Sequence, residues 1–122
     1  MTNTNSILNS VKRYIGLTDT QTEFDSDLII HINTVLSILR DLGIGKDNFE
    51  ITGASEVWTD FETPIYDIDY QKVKTYVCLR VKLIFDPPSS SFVLNALQET
   101  IKELEWRLHI DYEYQSTKDD GG

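Results

Sequence analysis

Apolar residues recur along this chain with a helical period, interrupted at a few sharp points. Ile7, Leu8, Val11, Tyr14 and Ile15 share one helical face and predict a first helix over residues 5–15. Gly16 followed by Leu17 reads as a left-handed C-cap with its hydrophobic follow-on. After a polar connector, Leu28, Ile32, Val35, Leu36, Leu39 and Leu42 form the main stripe of a second helix over 26–42. Asp25 is its expected N-cap, Asp27 adds negative charge to the first turn, and Phe24 is placed as a hydrophobic staple toward Ile29. Ile29, Ile30 and Ile38 widen the stripe. A helix apolar around more than half its girth is either central or shared with a partner. Gly43 and Gly45 stop it.

Residues 44–66 keep no helical period. Phe49-Glu50-Ile51-Thr52 alternates and predicts a short strand that Gly53 ends, and 54–61 can hold a helical turn around Trp58 before Pro64 closes the segment. Val57, Trp58, Phe61, Ile65 and Tyr66 give this loop an apolar inventory that must dock, on its own core or on a neighbour. For Trp58 and Phe61 the two roles weigh equally.

The period resumes in a third helix over 69–85. Pro87 and Pro88 end it, because neither ring nitrogen donates to an i−4 carbonyl, and Asp86 before them is pushed toward extended backbone. The serines at 89–91 are good N-caps for a fourth helix over 90–110, where Leu94, Leu97, Ile101, Leu104 and Leu108 keep a strict three-to-four spacing. Trp106 lies off that stripe, where it caps the core edge or meets another chain. The expected fold is all-α: a four-helix body over 1–112, a long irregular loop between helices two and three, and a polar, flexible tail over 113–122. Helices two, three and four form the expected core. Asp86, Pro87 and Pro88 set the corner. Trp58, Phe61, Ile65, Tyr66, Trp106, Tyr112 and Tyr114 are the candidate contacts with other subunits or partners, since aromatic residues dominate interface hot spots.

The order of several short motifs carries a resemblance. Asp-Leu-Ile-Ile-His-Ile-Asn at 27–33 is followed by Leu-Gly-Ile-Gly at 42–45 and Trp-Thr-Asp-Phe at 58–61. Phe-Asp-Pro-Pro at 85–88 and Glu-Leu-Glu-Trp-Arg-Leu at 103–108 complete the series. Over roughly residues 6–111 the chain resembles the small head–tail connector proteins of tailed phages. The resemblance implies a structural virion subunit made in the host bacterial cytoplasm. It implies a ring, commonly twelve-fold, docked under the portal of a filled head, extending the DNA channel and offering a surface to stopper or tail-completion proteins. It also implies that the tail reaches the portal, with Tyr112 and Tyr114 as anchors.

Composition narrows the alternatives. A chain of 122 residues with 40% hydrophobic content suits one domain with a core of its own. The net charge of −9, from 20 acidic and 11 basic residues, argues against phosphate contacts as the main business. It fits a solvated surface, or a channel wall that does not hold passing DNA. It also fits a rival reading, a small acidic regulator such as an antitoxin or DNA-mimic inhibitor. A mimic would array carboxylates along one face, whereas on helices three and four the acids alternate with Lys and Arg. No secretory leader is expected, and no run approaches the roughly 18 apolar residues of a membrane span.

Catalytic chemistry is not expected. Cys78 stands alone among apolar neighbours and reads as a small buried residue. His31 and His109 sit on different helices, and an Asp27–His31 contact one turn apart reads as an ordinary surface pair. One cysteine and two scattered histidines do not make a zinc site. The carboxylate pairs Asp67/Asp69, Glu103/Glu105 and Asp119/Asp120 fall at a helix start, on an outer face and in the tail, where they are solvated. Gly43-Ile44-Gly45-Lys46 lacks the strand and spacing of a phosphate loop and reads as a helix stop. No catalytic residue, metal or cofactor is expected.

Overall fold

The computed structural model describes residues 6–62 and 70–121. Ile65 and Tyr66 lie outside them. The described chain is helical: α1 (Ile7–Tyr14), α2 (Asp25–Asp41), the single turn α3 (Trp58–Phe61), α4 (Tyr70–Phe85) and α5 (Ser91–Gly121). The predicted helices one to four are α1, α2, α4 and α5, and α3 is the turn foreseen around Trp58.

α4 is the centre, packing on α1, α2 and α5. Its Val73, Tyr76, Val77, Cys78, Leu79 and Val81 are all buried. α2 contributes Leu28, Ile32, Val35, Leu36 and Leu39, and α5 contributes Ile101 and Leu108. Each such aliphatic side chain taken from water contributes about 1.5–3 kcal/mol. The wide girth of α2 is only partly used. Ile29 and Ile38 pack against the core, while Ile30 is 62% exposed.

Helix ends follow local chemistry. Ser6 caps α1, its hydroxyl accepting from the Asn9 amide at 3.2 Å. Gly16 adopts φ +93°, and the Leu17 and Gly16 amides donate back to the Lys12 and Arg13 carbonyls, the double bond pattern of a glycine-terminated helix. Gly43 closes α2 in the same way, with Ile44 and Gly43 donating to Leu39 and Arg40. Ser90 caps α5 through the Val93 amide.

Asp25 does not cap α2. It is the first helical residue, Phe24 precedes it, and no side-chain cap bond forms. The reason is Lys12, which is 1% exposed, with its ammonium 2.9 Å from the Asp25 carboxylate and donating to the Asp19 carbonyl. An unpaired buried ammonium costs several kcal/mol, a missing cap only about 1, so the carboxylate turns to the lysine. Phe24 meets Phe85 edge to face, with centroids 5.3 Å apart, which ties the start of α2 to the end of α4.

The segment 49–52 is not a strand. Among the described residues the only bridge is the isolated pair Ser6–Val57. The backbone of Ile51 is held instead by a side chain of α2: Asn33 donates to the Ile51 carbonyl at 3.0 Å and accepts from its amide at 2.8 Å. The described loop docks on the chain's own core. Ile44, Ile51, Trp58 and Phe61 are buried, and the Lys46 amide donates to the Phe61 carbonyl.

Helical backbone continues from Ser91 to Gly121, through the segment expected to be a polar tail. Residues 111–120 contain no glycine or proline to break it. Lys72–Asp111 at 3.3 Å and His109–Glu113 at 2.9 Å brace its middle.

Candidate assembly surface

α5 has two opposite faces. Leu97, Ile101, Leu104, Leu108 and Tyr112 recur at helical spacing toward the core, with Ile101 and Leu108 buried. Glu105 turns inward with them. It accepts a 2.6 Å hydrogen bond from the hydroxyl of the fully buried Tyr76, and Arg80 lies 3.5 Å from the same carboxylate oxygen while its Nε donates to Tyr76 at 3.1 Å. Burial, reinforced by the Glu105 carboxylate, pushes the Tyr76 phenol above its ordinary range. The group fastens α5 to α4 as a satisfied polar network.

On the opposite side, Trp106, Ile110 and Tyr114 stand at i, i+4 and i+8, 63%, 42% and 63% exposed. They form one continuous apolar stripe about 12 Å long. Contacts within the helix flank it, the Glu103–Arg107 ion pair at 2.8 Å and His109 Nε2 to the Glu113 carboxylate at 2.9 Å. Phe92, 81% exposed, lies about four turns before Trp106 on the same side. Large apolar side chains aligned on a solvated helix face mark contact surfaces.

The candidate contact residues therefore separate. Trp106 and Tyr114 are on the stripe. Tyr112 is half-buried, and its ring lies so close to Gly43 that a Cβ there would sit 2.5 Å from it. Trp58 and Phe61 are 2% and 0% exposed, which places both in the core of this chain, one of the two roles left open for them. The Trp58 indole donates to Ser10, and Phe61 packs on Phe49 and against Gly45, where a Cβ would come within 2.0 Å of its ring. Asp86 and Pro87 are exposed at the corner, where the Asp86 amide continues the hydrogen bonding of α4 for one residue. Ile110 was missed, although its spacing of four from both Trp106 and Tyr114 was readable.

A concavity lies between α1 and α4. It is an open groove of about 400 Å³, with Trp58 and Cys78 on its floor and Arg13, Tyr14, Lys74 and Thr75 around it. Cys78 is 8% exposed, and burial pushes its thiol up to about 11, so it stays protonated and unreactive at neutral pH. Among the described residues no group of three His, Cys, Asp or Glu side chains could hold a metal ion. No hydrogen bond or ion pair joins Asp27 to His31. The Gly43–Lys46 turn is filled by the rings of Tyr112 and Phe61, which leaves its backbone no cradle for phosphate. No described helix is long and apolar enough to cross a membrane.

The family model described as Phage connector protein matches residues 7–115, nearly the whole chain. The chain belongs to this family, a structural connector of phage particles. Neither a curated protein nor a solved structure matches it.

Proposed function

We propose that this chain is the repeating subunit of a ring that sits under the portal, joins the DNA-filled head to the tail and extends the DNA channel. Its partners are further copies of itself, the portal protein, and a stopper or tail-completion protein. Its place is the neck of the virion. The observation that carries the proposal is the Trp106–Ile110–Tyr114 stripe on a family member of this kind. Burying two aromatic rings and an isoleucine removes several hundred Å² from water, enough to give a contact its anchors. The net charge of −9 suits a wall along which DNA slides without being held.

The acidic-regulator reading has less support. On α4 and α5 the acids are interleaved with bases at ion-pair distance, as in Lys82–Asp86, Lys102–Glu99 and Arg107–Glu103. That pattern does not imitate a row of phosphates. The test is to mix the full chain with the portal protein of the same phage and image the product by electron microscopy. A ring of this chain closed on the portal is the expected result. A chain that leaves portal bare at every concentration overturns the proposal.

A further inference from the structure

Two surface features have no assigned partner in the ring: the α1–α4 groove and the α5 stripe. They are different surfaces of one chain, and the stripe is exposed, so neither fills the other within one copy. We infer that the Trp106–Ile110–Tyr114 stripe of one copy seats in the α1–α4 groove of the next. This inference rests on the ring reading and names the contact that closes the ring.

Charge selects a second copy as the occupant. A chain of net charge −9 repels itself over most of its surface. The groove is an exception. Arg13 and Lys74 stand on its rim; Arg13 shares its charge with Asp19 at 3.1 Å, while Lys74 has no carboxylate partner among the described residues. By helical geometry, the outward face of α5 carries Glu99 and Glu103 in line with the stripe, with Glu113, Arg107 and Lys102 at its edges; Lys102 and Arg107 pair with Glu99 and Glu103 within the helix, so three acids stand against two bases there. The acid-flanked stripe thus meets the basic rim, and its apolar side chains meet the Trp58 and Cys78 floor. Apolar area supplies the attraction, and the charges set which surfaces meet. Two different patches meeting head to tail generate a ring when the rotation closes, whereas a patch meeting itself ends at a dimer.

Site-specific cross-linking separates these cases. With Cys78→Ala as background, Thr75→Cys marks the groove rim and Ile110→Cys marks the stripe. Full-length chains are joined with a short bismaleimide under ring-forming conditions, and each variant is first melted to confirm that it folds. An equimolar mixture of the two single-cysteine chains should shift from monomer to dimer, the chain with both cysteines should give a ladder, and neither single variant should join to itself. Self-joining of Ile110→Cys, with no gain in the mixture, overturns the inference in favour of stripe on stripe. Rings seen by microscopy without cross-links overturn it and leave the connector reading standing. Cross-links without rings on portal sustain the pairing and remove the ring reading. Absence of both overturns both. An arm without cysteines uses charge. Lys74→Glu should lose assembly and Glu103→Lys should restore it; the absence of any loss counts against the pairing.

Discussion

Truncating two aromatic side chains of similar size should have opposite consequences. Phe61 is fully buried, packs on Phe49 and abuts Gly45. Phe61→Ala removes a ring from a close-packed site whose glycine neighbour has no side chain to fill the gap, and costs about 3–5 kcal/mol. With an unfolding entropy of about 2.1 cal/mol/K per residue over 122 residues, that loss lowers the melting temperature by about 12–20 °C. Trp106 is 63% exposed on the stripe. Trp106→Ala therefore changes stability by about 0.5 kcal/mol or less, or about 2 °C. Calorimetric melts of the dilute chain measure both, and sedimentation at high concentration measures assembly. Trp106→Ala should melt like the parent and assemble worse. A collapsed melting temperature for Trp106→Ala, or an unchanged one for Phe61→Ala, would refute the division between core and contact surface.

Three further outcomes follow from the packing. Gly45→Ala places a Cβ 2.0 Å from the Phe61 ring at φ +92°, so strain and overpacking together should cost about 2–5 kcal/mol, visible as a lower denaturant midpoint. Asn33→Ala leaves the Ile51 amide and carbonyl without their partner, costs about 1–3 kcal/mol, and should speed hydrogen exchange at the Ile51 amide. Stability should fall in alkali. The Cys78 thiol is raised from its ordinary 9.0 to about 11 and Tyr76 is raised as well, so the unfolded chain loses these protons first. Their contribution is whole below about pH 9 and is lost as pH climbs through the folded values, which a denaturant series at rising pH will show.

What the sequence made legible was what local physics decides. The stripes of α2, α4 and α5 follow from period alone, and the left-handed glycines at 16 and 43 follow from backbone sterics. The proline corner follows from a missing donor. The remainder depended on tertiary competition. Asp25 looked like a cap because nothing local shows that Lys12, five residues into the α1 segment, would be buried and need its charge. The strand at 49–52 failed because its hydrogen-bonding partner is one asparagine on α2 rather than another strand. Residues 113–122 read as a polar tail, yet the segment lacks any breaker before Gly121, so a helix held at Tyr112 and Asp111 runs on to Gly121. The candidate contact surface was half legible: Trp106 and Tyr114 stood out as aromatics off the leucine stripe, while Trp58 and Phe61, equally aromatic, are buried in the core. Composition does not distinguish a docked aromatic from a presented one; the spacing that adds Ile110 does.

The most direct measurement is cryo-electron microscopy of the full chain bound to its portal. The account predicts a closed ring on the portal, with each subunit's α5 stripe covered by the α1–α4 face of its neighbour. A two-fold dimer that joins stripe to stripe and ignores the portal would contradict it.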